Sequence, residues 1–156
     1  MSQNPVAAAV RHVQECFDRA TACLTEDDAG FAPAKGMYTA AQQVAHVAQT
    51  VEWFVAGAFS PKGFGVDSAA HQAAVRRVAA LADARTGLAR AFGAAIGRLG
   101  ATSPADLAAP IAPGPVLGGA PRSAIVAGIT DHTAHHRGAL AVYARLRGKV
   151  PAMPYA

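Results

Sequence analysis

Apolar positions recur at three- and four-residue steps in four stretches of the chain, the spacing that lines one face of an α-helix. From Pro5 to about Asp27 the stripe runs through Val6, Val10, Val13, Cys16, Phe17, Ala20 and Leu24. Pro5 suits a first helical turn, and DDAGFAPAKG ends the segment. A second helix is predicted from Thr39, because Thr39-Ala40-Ala41-Gln42 has the form of a capping box in which threonine and glutamine side chains each satisfy the other's backbone amide. It carries Val44, Val47, Val51, Phe54 and Ala58 and stops before Ser60-Pro61. The third stripe, Val75, Val78, Leu81, Leu88, Phe92, Ile96 and Leu99, predicts one long helix from about Asp67 to Leu99, ended by Gly100. Residues 100–120 are dense in Pro and Gly and predict an irregular connection, of the kind that is either functional or disordered. Pro121 then opens a last helix that runs to about Leu146, with Gly148 and Pro151 beyond its end.

Four such helices joined by non-trivial loops predict an all-α four-helix bundle, with 1–156 as a single domain. Composition agrees. Hydrophobic residues make up 52% of the chain, enough for one core without cross-links, while β-branched and aromatic residues are few, which disfavours sheets.

The net charge of +4 raises the question of an acidic partner. Its arginines are scattered, at 76, 77, 85, 90, 98, 137, 145 and 147 among others, and form no basic stripe interleaved with aromatics, so nucleic acid is not expected as a partner. Cys16 and Cys23 lie seven residues apart in a helical stretch, a rise of about 10 Å that is too long for a disulfide. They are read as reduced thiols. The start MSQNPV has no basic, apolar and cleavable leader pattern, and no run of about 18 uncharged apolar residues occurs, so a cytoplasmic protein without a membrane span is expected.

The candidate chemistry is in the histidines. On a helical wheel Ile125, Ile129, His132, His136, Leu140 and Tyr143 fall within one stripe roughly 60° wide, with both histidines in its middle. An i, i+4 histidine pair can bind one ion if a further ligand comes from a neighbouring helix, or it can be a buried pair satisfied by other polar groups. Each buried imidazole nitrogen needs a partner, and a metal would serve both residues at once. His46 on the second helix is the candidate third ligand. It is flanked at helical spacing by Gln42, Gln43, Gln49 and Thr50, polar groups that suggest a cavity wall, and it can equally be an interfacial surface residue. His135 and Asp131 point about 100° away from their neighbours on that stripe. His12 and His71 stand alone and are expected at solvent or interface positions, and Trp53 in the core.

MYTAAQQVAHVAQTVEWF (37–54) resembles the second-helix motif of the DinB/YfiT-like proteins, and DHTAHHRGALAVYARLRGKVPAMPY (131–155) resembles their final helix and tail. The resemblance implies an up-down-down-up bundle with a long crossover between helices two and three. It also implies a divalent metal, zinc or nickel, held by three histidines that match His46, His132 and His136. The family pattern often reads HHRGQ, whereas Ala139 stands here in place of the glutamine, so any contact made by that amide is missing while the ligand positions are intact. Three neutral imidazoles leave a coordination position for water or a thiolate, as catalytic sites do. Relatives include transferases and isomerases that use low-molecular-weight thiols. The resemblance therefore implies a metal-dependent transferase, isomerase or hydrolase acting on a small molecule, with a thiol as cosubstrate. A non-catalytic metal- or ligand-binding bundle and a bundle whose histidines bind nothing are the competing classes. Small family members often resemble symmetric dimers, and the Ala-rich, weakly charged faces here fit a homodimer.

Overall fold

The computed structural model describes residues 4–155; residues 1–3 and 156, the ends of the expected domain and part of the start read for a leader, lie outside the described residues. Among the described residues six α-helices occur: α1 (Pro5–Thr21), α2 (Ala40–Phe59), α3 (Ser68–Arg76), α4 (Leu81–Ala101), α5 (Pro104–Ala108) and α6 (Ile125–Leu146). No strand is present among them beyond an isolated bridge between Pro110 and Pro121. The chain is all-helical, as its periodicity predicts.

Helix starts follow the local chemistry. Asn4 caps α1 by accepting from the amide of Val6, with Pro5 in the first turn. Thr39 and Gln42 form the expected capping box at α2, at 3.3 and 3.1 Å. The four long helices bury their apolar stripes against one another: α2 packs on α4 and α6, and α1 packs on α4 and α6. Phe17, Val44, Val47, Phe92, Leu99, Ile125 and Leu140 are fully buried between them. Each such side chain contributes about 1.5–3 kcal/mol relative to exposure. No helix among the described residues is long and apolar enough to cross a membrane.

Three expectations are corrected. The segment from Asp67 to Leu99 is two helices, broken at residues 77–80, where Ala80 is extended. Ala80 offers no side-chain cap; instead the carboxylate of Glu26, far away in sequence, accepts from the amides of Leu81 (2.9 Å) and Ala82 (3.0 Å) and starts α4 from outside. The first helix ends at Thr21 rather than near Asp27, and a short 3-10 turn at Glu26–Asp28 follows. Cys23 therefore lies past the helix; both cysteines are free thiols, Cys16 buried and Cys23 half-buried. The 100–120 connection is more ordered than its composition suggests. It holds α5, capped by Ser103, and is pinned to the core by buried Leu107 and Ile111.

Candidate metal centre

The site is built where α2 crosses α6. Gly128 sets this approach: a Cβ there would sit 2.5 Å from the Phe54 ring, so only glycine lets that ring lie against α6. Nearby, Gly57 does the same for Phe64, whose ring would meet a Cβ at 2.2 Å. The two contacts hold Trp53, Phe54 and Phe64 in one aromatic cluster beside the histidines.

The structure brings His46, His132 and His136 together. One ligand-type atom from each lies within 4.8 Å of the others, and the three rings stand 4.4–4.9 Å apart between centroids. His136 is buried; His46 and His132 are half-buried. The stripe read from the wheel is reproduced, with Ile125, Ile129, Leu140 and Tyr143 buried around the pair. His135 is exposed, as are Asp131 and His12.

Burial lowers the pKa of all three residues, and neighbouring imidazoles lower it further: His132 is pushed down to about 4, His136 to about 3, and His46 downward. All are neutral at pH 7, the form that donates a lone pair to a metal. Gln43, read from sequence as part of a polar wall, is instead buried behind His136. Its Oε1 accepts from His136 Nδ1 at 2.5 Å, and its amide nitrogen donates to the Tyr143 hydroxyl at 3.2 Å. Tyr143 in turn donates to the carbonyl of Tyr38 at 2.9 Å. Because the amide oxygen can only accept, the proton of His136 sits on Nδ1 and its Nε2 carries a free lone pair.

His132 Nε2 lies 3.2 Å from His46 Nε2. A tetrahedral ion with nitrogen ligands at about 2.0–2.1 Å holds them about 3.3 Å apart. The Nδ1 of His132 is buried without a hydrogen-bond partner, as is the hydroxyl of Thr133. Neutral imidazoles whose Nε2 atoms face each other at this distance are costly to bury without a shared partner, and this donor set fits a divalent ion.

A cavity of about 470 Å³ opens beside His46 and His132. One wall is the α2 face made by His46, Gln49, Thr50 and Trp53, at i, i+3, i+4 and i+7; the facing wall is Ser68, His71 and Gln72 of α3. Tyr38 and Phe54 complete it.

Protein-family comparison matches residues 9–140 to the model of the DinB superfamily. The chain belongs to the DinB superfamily. No curated protein matches it at a significant level. Superfamily membership and the proximity of three histidines agree, since this superfamily is associated with metal. In this DinB protein one residue lies elsewhere than expected. Trp53 is half-buried and lines the cavity instead of the core, its indole N–H donating to Gly65 O at 2.6 Å. His71, expected at a solvent or interface position, is half-buried on the opposite wall, where Gln49 of α2 donates to its carbonyl. The signal that would have found His71 is the i, i+3, i+4 set Ser68, His71, Gln72, which is a polar face on a short helix.

Proposed function

We propose that His46, His132 and His136 ligate one divalent ion, zinc or nickel, and that the protein is a metal-dependent enzyme. The single observation that carries this is the convergence of His46 and His132 Nε2 at 3.2 Å beside a His136 whose tautomer is fixed by Gln43. The reading takes the four long helices as an up-down-down-up bundle, with α3 inside the crossover from α2 to α4. Its reaction is a transfer, isomerisation or hydrolysis on a small molecule, with a low-molecular-weight thiol as cosubstrate. When bound, the ion supplies Lewis acidity and a coordination position for a substrate atom. The protein's own part is to hold the ligands neutral, to orient His136 through Gln43 and Tyr143, and to wall the cavity with Gln49, Thr50 and Trp53. A homodimer belongs to the same reading, supported by exposed Val142 and Leu146 one turn apart on α6.

Elemental analysis of the purified protein tests the metal. About one divalent ion per chain is expected, lost in His132→Ala and in His136→Ala. Stoichiometric metal in both variants would overturn the ligand assignment. Addition of cobalt should give a visible spectrum that shifts with azide or a small thiol if a position is open; sulfur-to-cobalt bands before any thiol is added would mean that a cysteine closes the site.

A further inference from the structure

Away from the histidines, a cavity of about 330 Å³ lies where the ends of α2 and α4 meet the connection into α6, lined by Phe59, Arg98, Ala101, Thr102, Asp106 and Arg122. Arg122 precedes His132 by ten residues, which along a helix is about 15 Å, so this space is separate from the metal centre. Two guanidiniums lie over one ring here. The Cζ of Arg98 is 4.5 Å from the Phe59 centroid and that of Arg122 is 5.3 Å from it.

Neither cation is neutralised by the chain. Among the described residues the ion pairs are Arg90–Glu52, Arg147–Asp28 and Lys149–Asp28, so both arginines lack a carboxylate partner. Asp106 shares the lining, but its carboxylate accepts from the Ser103 hydroxyl at 2.7 Å, and Arg122 reaches only its backbone carbonyl, from Nη1 at 3.5 Å. The Nε of the half-buried Arg122 is itself buried without an acceptor. Helix ends do not account for the pair. Arg98 stands in the last turn of α4, where the dipole favours a cation, but Arg122 opens the 3-10 turn Arg122–Ala124 that leads into α6, where it favours an anion. Two like charges over one ring, one of them partly desolvated and at the unfavourable helix end, cost stability unless a counter-charge joins them.

A compact oxyanion supplies what is missing. We propose that this cavity binds the phosphate or carboxylate group of a small-molecule anion between the guanidiniums of Arg98 and Arg122. Planar guanidiniums match the oxygens of such a group, and stacking on Phe59 orders them before the ligand arrives, which lowers the entropic cost of binding. With two arginines against one aspartate, the lining keeps an excess of positive charge for the ligand to neutralise. The bound group ties the end of α4 to the start of α6.

Calorimetric titration of the full chain with sodium phosphate and, separately, with sodium acetate tests this, at an ionic strength held constant with chloride. One saturable site, of about millimolar affinity or tighter, is expected for at least one of the two anions. Arg98→Gln and Arg122→Gln should each weaken it at least about tenfold, and Arg98→Lys, which keeps the charge without the planar fork, should recover part of the loss. Arg98 is exposed, so its substitution spares the core and serves alone if Arg122→Gln does not fold. His132→Ala should bind the anion as tightly as the unmodified protein. Tighter phosphate binding supports the site as one for a phosphate ester, and tighter acetate binding supports it as one for a carboxylate. Saturable binding of neither anion, or affinity unchanged in Arg98→Gln, would overturn the proposal. Binding lost in His132→Ala and kept in both arginine variants would overturn it too, because the anion would then sit on an ion at the histidines.

Discussion

Helix α6 carries two buried polar clusters that are handled in opposite ways. Beyond its C-terminus, Asp28 has a carboxylate only 1% exposed, and every demand of that charge is met. Arg147 Nε pairs with it at 3.0 Å, Lys149 Nζ pairs with its other oxygen, and the Thr25 amide donates to it at 2.8 Å. Burial disfavours its charge, but the hydrogen bonds from Lys149, Thr25 and Arg147 outweigh this and hold its carboxyl well below the usual range. At mid-helix, three imidazoles converge with no carboxylate ligand among them, and the Nε2 atoms of His46 and His132 face each other at 3.2 Å. The first cluster is complete within the chain and ties the tail of α6 to the turn after α1. The second is incomplete within the chain, which is how a site for a ligand differs from a structural knot.

The comparison breaks most sharply on chelation. If the histidine cluster is completed by an ion, removing it with a strong chelator should lower the thermal midpoint of the wild-type protein, because a ligand bound only to the native state stabilises it by about 4 kcal/mol at a thousandfold excess over its dissociation constant. His136→Ala should show no further drop on chelation. An equal drop in wild type and variant, followed by calorimetry, would mean that the stabilising ion sits elsewhere.

Asp28→Asn comes next. It leaves Arg147 and Lys149 facing a neutral amide; both are partly exposed, so water recovers some of the loss, and a destabilisation of about 2–3 kcal/mol is expected in urea unfolding. The pH dependence of chelated protein separates the two clusters. Histidines whose folded pKa is lowered leave the unfolded chain binding more protons, so stability falls as pH drops below about 6.5 and continues to fall towards the folded values near 4 and 3. Asp28, with a lowered carboxyl pKa, contributes stability that is present above about 3.9 and is lost as pH falls below it. His132→Ala should therefore flatten the upper window and Asp28→Asn the lower. A variant that flattens the wrong window would refute this division.

Gln43→Leu sharpens the contrast within the histidine cluster. Losing the acceptor for His136 Nδ1 frees the tautomer and should weaken metal affinity by about 10–100-fold in chelator competition, with one ion still bound at saturation. Unchanged affinity would show that the Gln43 contact does not orient the ligand.

The parts legible in the sequence are those set by local chemistry or by one helix's periodicity. The capping box at Thr39, the buried stripe of α6 and the pairing of His132 with His136 all follow from residues within a few turns of one another. What escaped is what distant residues decide. Gln43 looked like one more glutamine beside His46, and only the position of Tyr143, a hundred residues on, turns it inward to His136. His71 and Trp53 became cavity walls because α3 folds back along α2; the polar face Ser68, His71, Gln72 is a local sign of a wall, but what it faces is decided by that fold.

The break between α3 and α4 is the plainest case, and it supplies the smallest of the expected effects. Residues 77–80 contain no Gly, no Pro and no capping side chain, and the apolar rhythm of Val75, Val78 and Leu81 runs straight through them. A continuous helix would satisfy the amides of Leu81 and Ala82 internally, whereas here both are satisfied by the carboxylate of Glu26. That carboxylate also faces the positive end of the α4 dipole. Glu26→Ala should cost about 1 kcal/mol, the usual worth of an N-cap, and hydrogen exchange should rise at Leu81 and Ala82 ahead of the rest of α4. Glu26→Gln keeps one acceptor and should recover part of the loss. Since Glu26 lies two residues before Asp28 in the same 3-10 turn, the two effects separate by location: Glu26→Ala loosens the start of α4, while Asp28→Asn loosens the tail beyond α6. Faster exchange at the tail in Glu26→Ala, with the first turn of α4 unchanged, would show that the break is held by packing of Val75 and Leu81 rather than by the distant cap.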